Sequence, residues 1–273
     1  MSKVYAVNSP KIEVSAIEKQ ISEISASLPA SDELKLVLSL VDLTTLEGKD
    51  TDADVTKLCE KAIKAGTAAV CVYPTLVAIA KHSLKNTGIK VAAVAGGFPS
   101  GQLPLHLRLA EARYAIEQGA DEIDMVISRG KFLEGNYQFI FDEVAAFKKE
   151  CGNKMLKVIL ETGELETLDN IRVASDISLK AGADYIKTST GKVNVNATLP
   201  AMCVMLQAIN DHYKISGKKC GIKPSGGISD GITAVKYLRL TEKILGKEWF
   251  HSSLFRFGAS RLVDNLLIEV NGK

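Results

Sequence analysis

The run Asp184-Tyr185-Ile186-Lys187-Thr188-Ser189-Thr190-Gly191-Lys192 carries the lysine best placed to do chemistry. Its apolar approach through Ala183, Tyr185 and Ile186 reads as a short buried strand that delivers Lys187 into a Thr/Ser/Gly turn, where strands commonly hand over to helices. A free lysine has a pKa of about 10.4, so roughly one molecule in two thousand carries the neutral amine at pH 7. A nucleophilic lysine therefore needs burial or a neighbouring cation to lower that value. Lys192, in the same turn, and Lys223, ending another strand-like run, are the candidate cations.

The elements that must position these groups alternate along the chain. Strand-like runs fall at about 36–43, 67–73, 90–95, 121–127, 155–161, 183–188, 220–224 and 254–257, with helical patterns between them such as Asp54 to Lys64, Leu105 to Gln118, Phe139 to Lys149, Ile171 to Lys180, Ala201 to His212 and Ala234 to Leu245. Glycines at 66, 119 and 182 follow helical patterns and lead straight into the next strand, as helix caps do. This alternation predicts an α/β fold, a (β/α)8 TIM barrel in one domain over residues 34–273. Residues 1–33 form an N-terminal extension in which Ile12, Val14, Ile17, Ile21 and Ile24 recur at near-helical spacing, predicting a helix packed on the main body.

In such a barrel the carboxyl ends of the strands line the active face. Collected there are Asp42 and Thr44, Cys71, Asp124, Glu161, Lys187 and Lys223. Asp42 and Thr44 suit either a site or a turn. Cys71 reads as a buried thiol; at the mouth of the site it would be open to alkylation by unsaturated aldehydes. Asp124, between Ile123 and Met125, needs an ion pair or a proton-transfer role, because an unpaired carboxylate in an apolar strand is costly. Glu161 could simply open the next helix. Lys187 and Lys223, on neighbouring strands, would repel each other, which is a direct way to keep one amine neutral. Turns bearing glycine follow the last three strands: Thr190-Gly191-Lys192, Ser225-Gly226-Gly227 and Phe257-Gly258-Ala259-Ser260. Glycines and helix amino-termini admit an oxyanion closely, so a phosphorylated substrate is expected.

Composition narrows the classes. Of 273 residues 46% are hydrophobic, enough for a large core, and 34 Lys plus Arg against 32 Asp plus Glu include no basic run suited to nucleic acid. Five scattered cysteines without a CxxC pair suit reduced thiols in a cytoplasmic protein. No apolar run is long enough for a membrane span or signal peptide. His82, His106, His212 and His251 lack metal-ligand spacing, and no G-x-S-x-G elbow is present, so neither a metal nor a serine triad is expected. The Gly191-Lys192 step is not a nucleotide P-loop, since Val193 follows. A homodimer is the expected assembly on base rates.

Six motifs then resemble one family. Asp42-Leu43-Thr44-Thr45-Leu46, Asp121-Glu122-Ile123-Asp124, Leu156-Lys157-Val158-Ile159-Leu160-Glu161-Thr162-Gly163-Glu164, Ile186 to Lys192, Ile222-Lys223-Pro224-Ser225-Gly226-Gly227 and Arg256-Phe257-Gly258-Ala259-Ser260 look like those of the deoxyribose-phosphate aldolases, class I aldolases. The resemblance runs from about Leu36 to the C-terminal helix. It implies reversible, cofactor-free cleavage of 2-deoxy-D-ribose 5-phosphate to D-glyceraldehyde 3-phosphate and acetaldehyde. On matching positions it implies that Lys187 forms a Schiff base, that Lys223 lowers its pKa and moves protons, and that Asp124 is the acid/base partner. It also implies that Lys192, Gly191, Gly226, Gly227 and Ser260 hold the phosphate, with Asp42 and Thr44 supporting the site. Two departures stand out: Arg261 where well-known members have a second serine, and the end Val270-Asn271-Gly272-Lys273 in place of a terminal tyrosine, which implies slower proton exchange at the acetaldehyde carbon. The alternatives are a transaldolase-type enzyme with a hydroxyketone donor and a catalytically silent phosphate-binding barrel.

Overall fold

The computed structural model describes residues 8–271, so the expectation for the last residues of the chain lies partly outside it. Eight parallel strands form one sheet in the order β7-β6-β5-β4-β3-β2-β1-β8. They are β1 Val41–Thr44, β2 Ala69–Val72, β3 Lys90–Ala95, β4 Glu122–Val126, β5 Met155–Ile159, β6 Tyr185–Lys187, β7 Gly221–Lys223 and β8 Phe257–Ala259. Single bridges between Ile222 and Phe255 and between Ser225 and Gly258 join the β7 and β8 segments, which brings the two ends of the sheet together as a barrel. The helices are α1 Val14–Ser22, α2 Ser31–Ser39, α3 Asp52–Ala65, α4 Val77–Ser83, α5 Leu105–Glu117, α6 Arg129–Leu133, α7 Tyr137–Cys151, α8 Leu168–Lys180, α9 Leu199–Ser216, α10 Gly231–Leu245 and α11 Arg261–Asn271.

The local chemistry that starts and stops these helices is legible. Thr51, Thr167, Thr198 and Asp230 accept the free backbone N–H groups at the starts of α3, α8, α9 and α10. Gly66, Gly119 and Gly182 all take positive φ at the turns into β2, β4 and β6, as the sequence predicts.

Two expectations need correction. The first half of the run 36–43 is helix: α2 ends at Ser39 and β1 begins only at Val41. Leu34, Val37 and Leu38 recur at helical spacing and are buried on one face, and the Glu33 carboxylate accepts the Ala30 N–H in the first turn, so helix wins over strand propensity. The boundary drawn at residue 33 therefore falls inside α2. The last strand lies at 257–259 rather than 254–257, because Phe255 makes only an isolated bridge before the ladder with β1 begins at Phe257. In the extension, α1 carries the expected helix: Ile17 is buried, and Ile12, Ile21 and Ile24 pack on the core.

Side chains alternate across each strand. Leu43, Ile123, Met125, Leu156, Val158, Ile186 and Ile222 point outward into the apolar layer beneath the helices. A separate small apolar cluster, Leu46, Cys71, Ala92 and Val94, fills one side of the lumen. The opposite inward face is charged. At its floor, the Tyr185 ring occupies the space a side chain at Gly221 would need: a Cβ there would lie 2.4 Å from the ring.

Candidate active site

The strand register assembles the charged groups. Asp124 is in register with Lys157, and Lys187 with Lys223, so groups from β4, β5, β6 and β7 project into the same lumen. β1 adds Asp42, Glu122 lies one inward position below Asp124 on β4, and Arg256 enters just before β8. All seven are buried.

Each contact follows from that placement. Asp124 Oδ2 accepts hydrogen bonds from Lys187 Nζ at 2.8 Å and Lys223 Nζ at 2.7 Å, while its Oδ1 accepts from Lys157 Nζ at 2.9 Å. Lys223 also donates to Asp42 Oδ2 at 2.5 Å, and Arg256 Nη1 to Asp42 Oδ1 at 2.5 Å. Glu122 accepts from Lys157 at 2.5 Å and from Arg256 Nη2 at 2.7 Å. Gly258 leaves room for this arrangement, since a Cβ there would lie 2.6 Å from Ser225 Cβ and 3.1 Å from Lys223 Cε.

The charge count decides which amine is most readily made neutral. Four cationic groups (Lys157, Lys187, Lys223, Arg256) meet three carboxylates (Asp42, Glu122, Asp124). A buried charge without a counter-charge costs several kcal/mol. The group with least compensation gives up its proton first. Lys157 lies within ion-pair distance of all three carboxylates, and Lys223 and Arg256 of two each. Lys187 has one, which it shares with Lys223.

The pKa directions agree. Burial lowers the Lys187 value, and although Asp124 opposes that, Lys223 adds to it, leaving the amine below the ordinary lysine range. For Lys223 burial is outweighed by Asp124 and Asp42, and the value rises. Lys157 rises further still, burial being overcome by Asp124, Glu122 and Asp42. Burial also opposes ionisation of Asp124, but Lys157, Lys187 and Lys223 hold its carboxyl well below the usual range. Asp42 is likewise depressed: burial is overcome by Arg256, Lys223 and Lys157.

Above Lys187 opens a cleft of about 470 Å3. Thr44, Gly191, Lys192, Gly226, Gly227 and Ser260 all line it, and so do Glu47 and Arg261. Gly191, Gly226 and Gly227 have φ of +79°, +79° and +78°, a region open to glycine at little cost. Ser260 stands at the start of α11, where backbone N–H groups are free to meet an anion. Glu161, itself at φ +56°, braces this wall: its carboxylate accepts the Thr190 backbone N–H at 3.2 Å and the Thr190 hydroxyl at 2.5 Å, and it pairs with Arg129. Glu161 thus holds the loop before Gly191. Cys71, the register partner of Thr44, is fully buried and does not line the cleft, and burial raises its thiol pKa.

The expected residues therefore divide by depth. Lys187, Lys223, Asp124 and Asp42 meet in the lumen, and the others form the cleft above, with Lys187 common to both. Thr44 lines the cleft while its hydroxyl donates to the Asp42 carbonyl at 2.8 Å. Sequence reasoning did not single out Lys157, Glu122 and Arg256. A usable signal existed for two of them: Lys157 lies between Leu156 and Val158 and Arg256 between Phe255 and Phe257, whereas Glu122 follows Asp121 and has an apolar neighbour, Ile123, on one side only. Among the described residues no group of three or more histidine, cysteine or carboxylate side chains is arranged to hold a metal ion.

Comparison with known proteins gives a consistent setting. The DeoC/LacD family aldolase model matches residues 36–238. Human deoxyribose-phosphate aldolase is 47% identical over 84% of this chain and 78% of its own, and the Bos taurus enzyme of that name is 44% identical over 94% and 88%. Among solved structures, the tetrameric deoxyribose phosphate aldolase of Aeropyrum pernix superposes with a TM-score of 0.72 at 26% identity, covering 94% of this chain and 98% of that one.

Proposed function

The chain belongs to the DeoC/LacD family of aldolases, and from that membership we propose that it is a deoxyribose-phosphate aldolase whose Schiff base forms on Lys187. It is a class I aldolase that cleaves 2-deoxy-D-ribose 5-phosphate reversibly to D-glyceraldehyde 3-phosphate and acetaldehyde. The observation that carries the assignment of roles is the single oxygen, Asp124 Oδ2, shared by Lys187 and Lys223.

Lys187, the least compensated cation, supplies the neutral amine that adds to the C1 aldehyde of the open-chain sugar. Loss of water gives a protonated imine, which draws electrons from the C2–C3 bond as the C3 hydroxyl loses its proton. Glyceraldehyde 3-phosphate leaves, and the remaining enamine takes a proton at C2. Hydrolysis of the resulting imine frees acetaldehyde and restores the lysine. Asp124 stays ionised throughout the neutral range, so it stabilises the cationic imine and accepts protons. Lys223, held charged, is the donor on the other side of the same oxygen, and protons pass between them directly or through water.

The phosphate rests against Gly191, Lys192, Gly226, Gly227 and Ser260, which ties C5 to the upper wall and leaves C1 to reach down to Lys187. Thr44 and Asp42 support the sugar side, Thr44 in the cleft and Asp42 by fixing Lys223. We further propose that residues 34–273 act as one catalytic domain with residues 1–33 as an extension, and that the enzyme is a cytoplasmic homodimer. The five free, buried cysteines support a reducing compartment, and light scattering tests the assembly.

The deciding experiment is borohydride trapping with acetaldehyde followed by peptide mapping. A reduced two-carbon adduct on the peptide holding Lys187, absent from Lys187→Ala, is the expected result. No adduct from folded protein would leave the silent phosphate-binding barrel as the better account.

A further inference from the structure

Lys192, at the upper wall of the cleft, already has an anionic partner. Its Nζ lies 2.8 Å from Glu47 Oε1, and both side chains line the cleft above Lys187. Glu47 comes from the loop after β1, far from Lys192 in sequence, so the pair spans the mouth rather than bracing one loop. Its backbone is fixed: Asp50 Oδ2 accepts both the Glu47 N–H and the Thr45 hydroxyl at 2.9 Å. The carboxylate is thus presented where a sugar phosphate would seek the same ammonium.

The geometry points to Glu47 as a specificity-determining residue: it acts as an internal counter-anion that a phosphate must displace from Lys192, and so sets how far the enzyme prefers phosphorylated over free deoxy sugars. This rests on the placement of the phosphate at Lys192 proposed above. Apart from Lys187 at its floor, the cleft without Glu47 would hold two side-chain cations, Lys192 and Arg261, facing any anion. With Glu47 present, one of them is already paired. A phosphate must break that pair and approach the Glu47 carboxylate, whereas an unphosphorylated sugar leaves the pair intact.

The pair is exposed, the Glu47 side chain at 62%, so its effect is modest. Glu47→Gln is expected to lower KM for 2-deoxyribose 5-phosphate and Ki for inorganic phosphate about two- to fivefold, and to lower KM for 2-deoxyribose by less. In a Lys192→Met background the same substitution is expected to lose most of that effect, because the ammonium over which the two anions compete is gone. An unchanged or raised KM for the phosphorylated sugar in Glu47→Gln would overturn the inference and make Glu47 a support for Lys192. An equal gain in the Lys192→Met background would also overturn it, assigning the effect to the general field of the mouth. If Lys192→Met alone left both the KM for the phosphorylated sugar and the phosphate Ki unaltered, the placement of the phosphate itself would fail, and the inference with it.

Discussion

The Nζ atoms of Lys187 and Lys223 converge on one carboxylate oxygen, Asp124 Oδ2, at 2.8 and 2.7 Å. The two lysines are register partners on adjacent strands, and they differ in what else they touch: Lys223 has Asp42 as a second partner and Lys187 has none among the carboxylates. Two chemically identical side chains are thereby set apart, one charged and one ready to be neutral. The difference lies in their neighbours, since burial opposes charge on both.

Replacing Lys223 by Met removes a repelling cation and leaves Asp124 Oδ2 to Lys187 alone. The Lys187 amine then holds its proton more strongly, so the rate of imine trapping with acetaldehyde, which rises with pH as the amine deprotonates, should move its rising limb to higher pH. Loss of the proton donor should also lower kcat by about 10²- to 10⁴-fold. A slower enzyme with an unmoved limb would limit Lys223 to proton transfer.

Lys157→Met tests the charge count. It leaves three buried carboxylates with three cations, so Lys187 is no longer surplus and should stay protonated at neutral pH, with activity partly recovered at alkaline pH. Breaking this buried cluster should also cost about 3–5 kcal/mol of stability, read as a lower denaturant midpoint at unchanged slope.

Stability should respond to acid in a defined window. Asp42 and Asp124 have folded pKa values below their unfolded values of about 3.9, so their stabilisation is present above that pH and is lost as pH falls through the folded values. The unfolding free energy should therefore drop below about pH 4, and Asp42→Asn, less stable at neutral pH, should show a shallower decline there. Parallel acid limbs for the two proteins would contradict this.

Arg261→Ser restores the serine implied by the family resemblance. Because Arg261 lines the cleft beside Ser260, its loss should raise KM for the phosphorylated sugar about three- to tenfold while kcat changes little. An unaltered KM would mean that the guanidinium faces solvent.

Much of this molecule is written locally. Glycines 66, 119 and 182 punctuate helix–strand joins, and apolar alternation marks the strands, because a Cβ-free residue at positive φ and a buried face are demands met by nearby residues alone. Lys187, Lys223 and Asp124 could be found because ionisable groups in apolar strands need a reason. Where two local signals competed, the reading failed: the apolar stretch before Asp42 satisfies both periods, and burial of Leu34, Val37 and Leu38 on one face decided for a helix.

Alone, then, the sequence determined the alternation of elements, the face on which chemistry must lie and the identity of the lysine at its centre. Tertiary structure decided how readily that lysine gives up its proton. Strand register brought Lys157, Glu122 and Arg256, from segments far apart in the chain, into one low-dielectric lumen with Asp42 and Asp124. Whether an amine there keeps its proton depends on the balance of all the charges within a few ångströms, a quantity that no single segment carries.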